Sequence, residues 1–163
     1  NSLSNIYWDT KLPIYEISLL KLSNKGIKCL LLDVDGTLLS RNTEIIPCNV
    51  KDWINNSKET FELYLISNNL SEKRIAKIGD ELGINYKFKA NKPRTKYTLE
   101  VIRKMNIDKN NIAIIGDRIF TDMIVGNRCN IKTILVQSLN KKGAPKNFNV
   151  ILMLEKFFSK FIP

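Results

Sequence analysis

Histidine is absent from all 163 residues of the chain. That absence excludes Ser-His and Cys-His nucleophile pairs, His-ligated zinc and imidazole acid–base catalysis. Cysteine is scarce: Cys29, Cys48 and Cys129 follow no metal-ligand or disulfide spacing. Cys29 and Cys129 fall in or beside apolar segments, as core thiols do, and this usage predicts a reducing, cytoplasmic setting. No apolar run approaches the ~18 residues that a membrane span requires. The first residues are polar and lack the apolar core of a secretion signal. Acidic residues are outnumbered, 16 against 26 basic, which leaves a formal charge of +10.

A basic excess of this size attracts anions: nucleic acid, lipid headgroups or small phosphorylated molecules. It is spread along the chain, so lysine content set by genomic base composition is an equally simple reading. The basic residues are not interleaved with aromatics as on an RNA-binding platform, which argues against nucleic acid. A hydrophobic content of 44% and a charged content of 26% are those of a soluble globular protein. The length predicts one folded unit over residues 1–163, with its core over about 12–139.

Apolar strands alternate with amphipathic helices. Strands are expected at 27–33, 61–67, 86–88, 112–116 and 133–136, and helices at 49–57, 71–82, 95–105 and 121–129. Ser71 reads as an N-cap, and Gly83 and Asn106 as helix stops. This is the pattern of a Rossmann-like α/β/α sandwich around a parallel sheet. Residues 140–149 read as a polar loop. In the tail, about 150–161, Leu154, Phe157, Phe158 and Phe161 fall on one helix face, which either docks on the sheet or touches a membrane. Residues 12–22 are a weaker candidate for the same interfacial role.

The most informative text is Asp33-Val34-Asp35-Gly36-Thr37, directly after an apolar run. Residues i and i+2 of a strand share a face, so Asp33 and Asp35 converge, and Gly36 permits a sharp exit turn. Ser67-Asn68-Asn69, Lys92-Pro93 and Gly116-Asp117-Arg118 through Thr121-Asp122 follow, each at or after a predicted strand end. All four elements would meet at one edge of a parallel sheet, where such sheets bind ligands. Donors from Ser67 and Asn68, the Lys92 cation and four carboxylates suit phosphoryl transfer. The carboxylates call for Mg²⁺, a hard oxygen-seeking cation, to offset their repulsion.

These motifs resemble those of haloacid dehalogenase (HAD) superfamily phosphatases of the capless IIIA type. Lys25-Gly26-Ile27-Lys28 and Gly126-Asn127-Arg128 extend the resemblance to bacterial relatives of the phosphatidylglycerophosphate phosphatases of mitochondria and plastids. Those relatives more often carry Asn where this chain has Gly36. The resemblance implies that Asp33 is a nucleophile forming an aspartyl-phosphate, and that Asp35 is the acid and base, kept partly protonated by nearby negative charge. It implies that Lys92 neutralises charge, that Ser67 and Asn68 hold phosphate oxygens, and that Thr37 positions the acid/base or the phosphate. Mg²⁺ would be held by Asp33, the Asp35 carbonyl and Asp117, with Asp122 supporting them. Arg118 is either a substrate contact or an exposed loop arginine.

The 29 residues between Thr37 and Ser67 leave no room for an inserted cap. An open site suits a substrate too large or too membrane-bound to enclose. With the basic surface and the two interfacial candidates, this favours a lipid phosphate, and the resemblance implies that it is phosphatidylglycerophosphate, an anionic phospholipid met at a membrane surface. A soluble sugar or nucleotide phosphate is the alternative, and a catalytically silent binding scaffold is a second one.

Overall fold

The computed structural model describes residues 2–147 and 149–162. Its strands are β1 (Trp8–Asp9), β2 (Cys29–Leu32), β3 (Glu62–Ile66), β4 (Tyr86–Lys87), β5 (Ile112–Gly116) and β6 (Lys132–Leu135). Its helices are α1 (Leu19–Asn24), α2 (Cys48–Ser57), α3 (Glu72–Leu82), α4 (Lys96–Met105), α5 (Ile124–Arg128) and α6 (Val150–Ser159). All six strands pair in parallel in the order β1-β6-β5-β2-β3-β4.

Strand periodicity divides the core between the two sheet faces. Leu30, Leu32, Leu65, Ala113 and Ile115 point one way, onto Val50, Trp53 and Ile54 of α2 and Ile75, Ile78 and Leu82 of α3. Cys29, Leu31, Ile66, Ile112 and Ile114 point the other way, onto Val101 and Ile102 of α4 and Val125 of α5. Both faces are covered, so β2 and β5 read as unbroken apolar runs rather than alternating ones. Truncating one of these leucines or isoleucines to alanine would cost about 2–5 kcal/mol.

Local signals fix the helix ends. The Ser71 hydroxyl accepts from Arg74 N at 3.2 Å and caps α3. Gly83 and Asn106 end α3 and α4 in the left-handed conformation. Two expectations are corrected. Residues 12–22 do not form an interfacial helix: Ile14, Ile17 and Leu22 are buried, and Trp53 Nε1 donates to Ile17 O at 2.9 Å. The segment expected as a helix from 121 instead starts with a wide π-helical turn, Ile119–Met123, before α5.

Strand order reverses at β2. The chain moves outward on one side through β3 and β4, and returns to the other side as β5 and β6. Register pairs Leu32 with Leu65 and with Ile115, and Asp33 N donates to Ile115 O at 2.9 Å. The residues after these three strand ends therefore emerge side by side at a topological switch point. Between β2 and β3 the chain forms only loop and α2, so no folded insertion covers that edge.

Candidate active site

Asp33 leaves β2 buried, beside Gly116 and Asp117 leaving β5. Gly36 takes a φ of +89°, open to glycine at little cost, and turns the chain away from the sheet. Carboxylate oxygens of Asp33, Asp117 and Asp122 all lie within 4.8 Å of one another. Lys92, brought in by the loop after β4, puts its Nζ 2.7 Å from Asp33 Oδ1, 2.6 Å from Asp122 Oδ1 and 2.9 Å from Ile66 O. Gly116 makes room for Asp122: a Cβ at that position would lie 2.2 Å from Asp122 Oδ2.

Charge does not balance in this cluster. One buried ammonium faces three buried carboxylates. Burial first, and the Asp33 charge second, push Asp117 up to about 6 and Asp122 up to about 7. For Lys92, burial alone would lower the pKa, but the Asp122 and Asp33 charges outweigh it and hold the ammonium above its ordinary value. Two surplus negative charges on an all-oxygen donor set fit a hard divalent cation. Asp33, Asp117 and Asp122 are the side chains that could hold it.

Hydrogen bonds orient the cluster from behind. Thr37 Oγ1 lies 3.1 Å from Asp33 Oδ2 and 3.4 Å from Asp117 Oδ1. Thr37 is fully buried, and its hydroxyl orients the carboxylates of Asp33 and Asp117. Ser138 Oγ donates to Asp117 Oδ2 at 2.5 Å and accepts from Asn149 Nδ2 at 2.8 Å. Asn68 receives Lys92 N on its Oδ1 at 2.7 Å and donates its Nδ2 to Lys92 O at 2.8 Å. Its side chain thus seats the Lys92 backbone, and Asn68 also lines the cleft that Asp33 faces.

Asp35 departs most from expectation. Its carboxylate does not sit among the other negative charges. Arg74 Nη2 donates to Oδ1 and Asn69 Nδ2 to Oδ2, both at 2.8 Å. Arg74 also donates to Thr43 O at 2.7 Å, which ties the loop after Asp35 to α3.

Asp33, Asp35, Ser67, Lys92, Arg41 and Arg118 line an open cleft of about 270 Å³. Asp33 is the member of the buried trio that faces this cleft. Ser67 Oγ accepts from Asn69 N at 3.0 Å and keeps its own proton to donate. Arg118 is neither free nor simply a substrate arm: its Nε and Nη2 donate to Glu155 Oε1 of α6 at 3.0 and 2.9 Å. Sequence reasoning gave Asn69 no role within its motif and missed Arg41, Arg74, Ser138 and Glu155. Their partners lie 21 to 39 residues away for Ser138, Asn69, Glu155 and Arg74, beyond any local spacing signal.

The geometry can be set against known proteins. The family model described as "Mitochondrial PGP phosphatase" matches residues 2–139. The chain belongs to this family. "Probable phosphatase YqeG" of Bacillus subtilis (strain 168) is 32% identical over 124 residues, covering 76% of this chain and 72% of the relative. The crystal structure of an uncharacterized protein from Listeria monocytogenes serotype 4b matches with a TM-score of 0.58 at 17% identity, over 77% of this chain and 86% of that one. The HAD-hydrolase YfnB of Bacillus subtilis, bound to magnesium, matches with a TM-score of 0.55 at 13% identity, over 74% of this chain and 90% of that one. The likeness to YfnB shows the HAD fold, and the family match and the Bacillus relative make this chain a phosphatase of that fold.

Proposed function

We propose that this phosphatase is a Mg²⁺-dependent phosphomonoesterase that works through an aspartyl-phosphate on Asp33. Its substrate in this reading is phosphatidylglycerophosphate, dephosphorylated to phosphatidylglycerol at the cytoplasmic face of a membrane. The observation that carries the mechanism is that Asp33, of the three clustered carboxylates, faces the cleft. A lipid substrate is supported by the family match, by the lack of a folded insertion between β2 and β3 and by the two arginines that line the cleft.

An Asp33 oxygen attacks phosphorus as the ester P–O bond breaks, and Asp35 delivers a proton to the leaving alkoxide. Arg74 keeps hold of Asp35 Oδ1 while Oδ2, which accepts from Asn69 in the resting site, exchanges that bond for the proton. Water then attacks phosphorus, gives its proton to Asp35, and the Asp33–phosphorus bond breaks to release inorganic phosphate. Lys92 offsets charge on Asp33 and the phosphoryl group throughout, while the Ser67 hydroxyl donates to a phosphoryl oxygen. Mg²⁺ held by Asp33, Asp117 and the Asp35 carbonyl, with Asp122 behind them, would supply further positive charge where negative charge gathers.

The test is Mg²⁺-dependent phosphate release from phosphatidylglycerophosphate in mixed micelles. Glycerol 3-phosphate and a nucleotide panel serve as competing substrates, and Asp33→Asn as the control. Strong preference for the lipid, lost in the variant, is the expected result. Turnover of soluble esters alone would keep the mechanism and discard the lipid.

A further inference from the structure

α6 is mounted with its apolar side outward. Val150, Met153, Leu154, Phe157, Phe158 and Phe161 recur at helical spacing, and each is more than half exposed. The opposite face turns inward: Glu155 is only 3% exposed, and Leu152 packs against Ile119, Met123 and Leu135. A short amphipathic helix docked by hydrophobic burial alone would sit the other way round. This corrects the expectation that the phenylalanine face could close onto the sheet.

Two polar links fix that orientation, and both run to the catalytic edge. Glu155 Oε1 accepts from Arg118 and its Oε2 accepts from Ile119 N at 3.0 Å, on the loop that follows β5. Asn149 caps α6 by accepting from Leu152 N, and it donates to Ser138, which in turn donates to Asp117. Burying a carboxylate is costly unless it is paired. The pairing holds Glu155 inside and leaves the aromatic face to the surroundings.

The apolar face also continues into the catalytic edge. Ile151 is exposed, yet it lines a groove of about 170 Å³ with Arg41, Arg118 and Lys146. Arg41 and Arg118 are shared with the cleft that holds Asp33. Lys160 flanks the apolar face on its other side. We infer that α6 is a docking helix for an anionic bilayer surface: its phenylalanine face enters the acyl boundary while Arg41, Arg118 and Lys146 meet headgroup phosphates.

Charge selects the occupant. A second copy of a chain carrying +10 would bring basic surface onto basic surface, whereas an anionic bilayer complements it. Among the described residues no helix is long and apolar enough to cross a membrane, so α6 lies along the surface rather than through it. The inference deepens the membrane part of the proposed function and rests on it.

The experiment is flotation of the full chain with vesicles of phosphatidylglycerol and phosphatidylcholine, against pure phosphatidylcholine. The protein is compared with Phe157→Ser/Phe158→Ser, a change confined to exposed positions. The parent should float with anionic vesicles, weakly with neutral ones and less at high salt. The double variant should float at least about tenfold less while hydrolysing p-nitrophenyl phosphate at the parent rate, which shows that its fold is intact. Equal flotation of both proteins, or none by the parent, would overturn the inference. So would a dimer in solution that the double variant abolishes, because the face would then belong to a second copy. The vesicles carry no phosphomonoester, so binding is read apart from turnover. Flotation without hydrolysis of phosphatidylglycerophosphate would keep the docking helix and discard the substrate.

Discussion

Lys92 Nζ stands 2.7 Å from Asp33 Oδ1, with the lysine side chain 1% exposed and the aspartate 11%. The two residues are 59 apart in sequence and meet because β4 and β2 end at the same sheet edge. Removing either partner has opposite consequences for stability. Lys92→Met leaves three carboxylates with no internal cation and should destabilise the metal-free protein by about 3–5 kcal/mol while abolishing turnover. Asp33→Asn removes a surplus negative charge, so turnover should vanish with a metal-free Tm at or above that of the parent. Thermal denaturation beside a phosphate-release assay checks both. A stable Lys92→Met protein would contradict the charge account.

The same surplus charge gives the site a pH dependence. Burial and the Asp33 charge raise Asp117 to about 6 and Asp122 to about 7 in the fold, while the unfolded chain has ordinary carboxylates. The folded protein therefore holds more protons between the two values. The stability these groups confer is complete below about pH 4 and is lost as pH rises through 6 to 7. A divalent cation requires the deprotonated form, so the rise in Tm caused by Mg²⁺ should be several-fold larger at about pH 8 than at about pH 5.5. Thermal scans with and without Mg²⁺ at the two pH values test this. Equal shifts at both would show that these carboxylates do not hold the ion.

Arg74 holds Asp35 from α3, 39 residues away. It positions the carboxylate and the loop through Thr43, and it reaches no other part of the cleft wall. Arg74→Gln should lower kcat by about 10- to 100-fold through a misplaced Asp35. KM should change little, because the cleft-lining Ser67 and Lys92 are untouched. Steady-state kinetics on one substrate separates the two parameters. A rise in KM at constant kcat would make Arg74 a substrate contact instead.

Much of this arrangement is legible in the sequence because it is local. The run 112–116 becomes β5 with the expected bounds, and Ser71, Gly83 and Asn106 do what their side chains and backbones predict. The four motif elements meet because each ends or follows a parallel strand. What escapes is set by distant contacts. β1 is two residues long and has no period to read. The periodicity of α6 shows which residues share a face, but the direction of that face depends on Glu155 meeting Arg118, 37 residues earlier. The motif spacing alone puts Asp35 among negative charges, and the arginine it meets instead is brought in by the packing of α3 on the sheet.

The Glu155–Arg118 pair joins the outward-facing helix to the lining of the cleft. The guanidinium side chain is about a quarter exposed and the carboxylate almost fully buried, so the loss from breaking the pair falls unevenly. Arg118→Ala strands a buried carboxylate, whereas Glu155→Gln leaves a partly solvated cation that can swing away. If the pair acts as a unit, each single change should raise KM several-fold, and Arg118→Ala should also cost more stability. The double change should cost less than the sum, with a coupling of about 0.5–3 kcal/mol in a mutant cycle. Additive effects on KM would mean that Arg118 works at the cleft without help from α6.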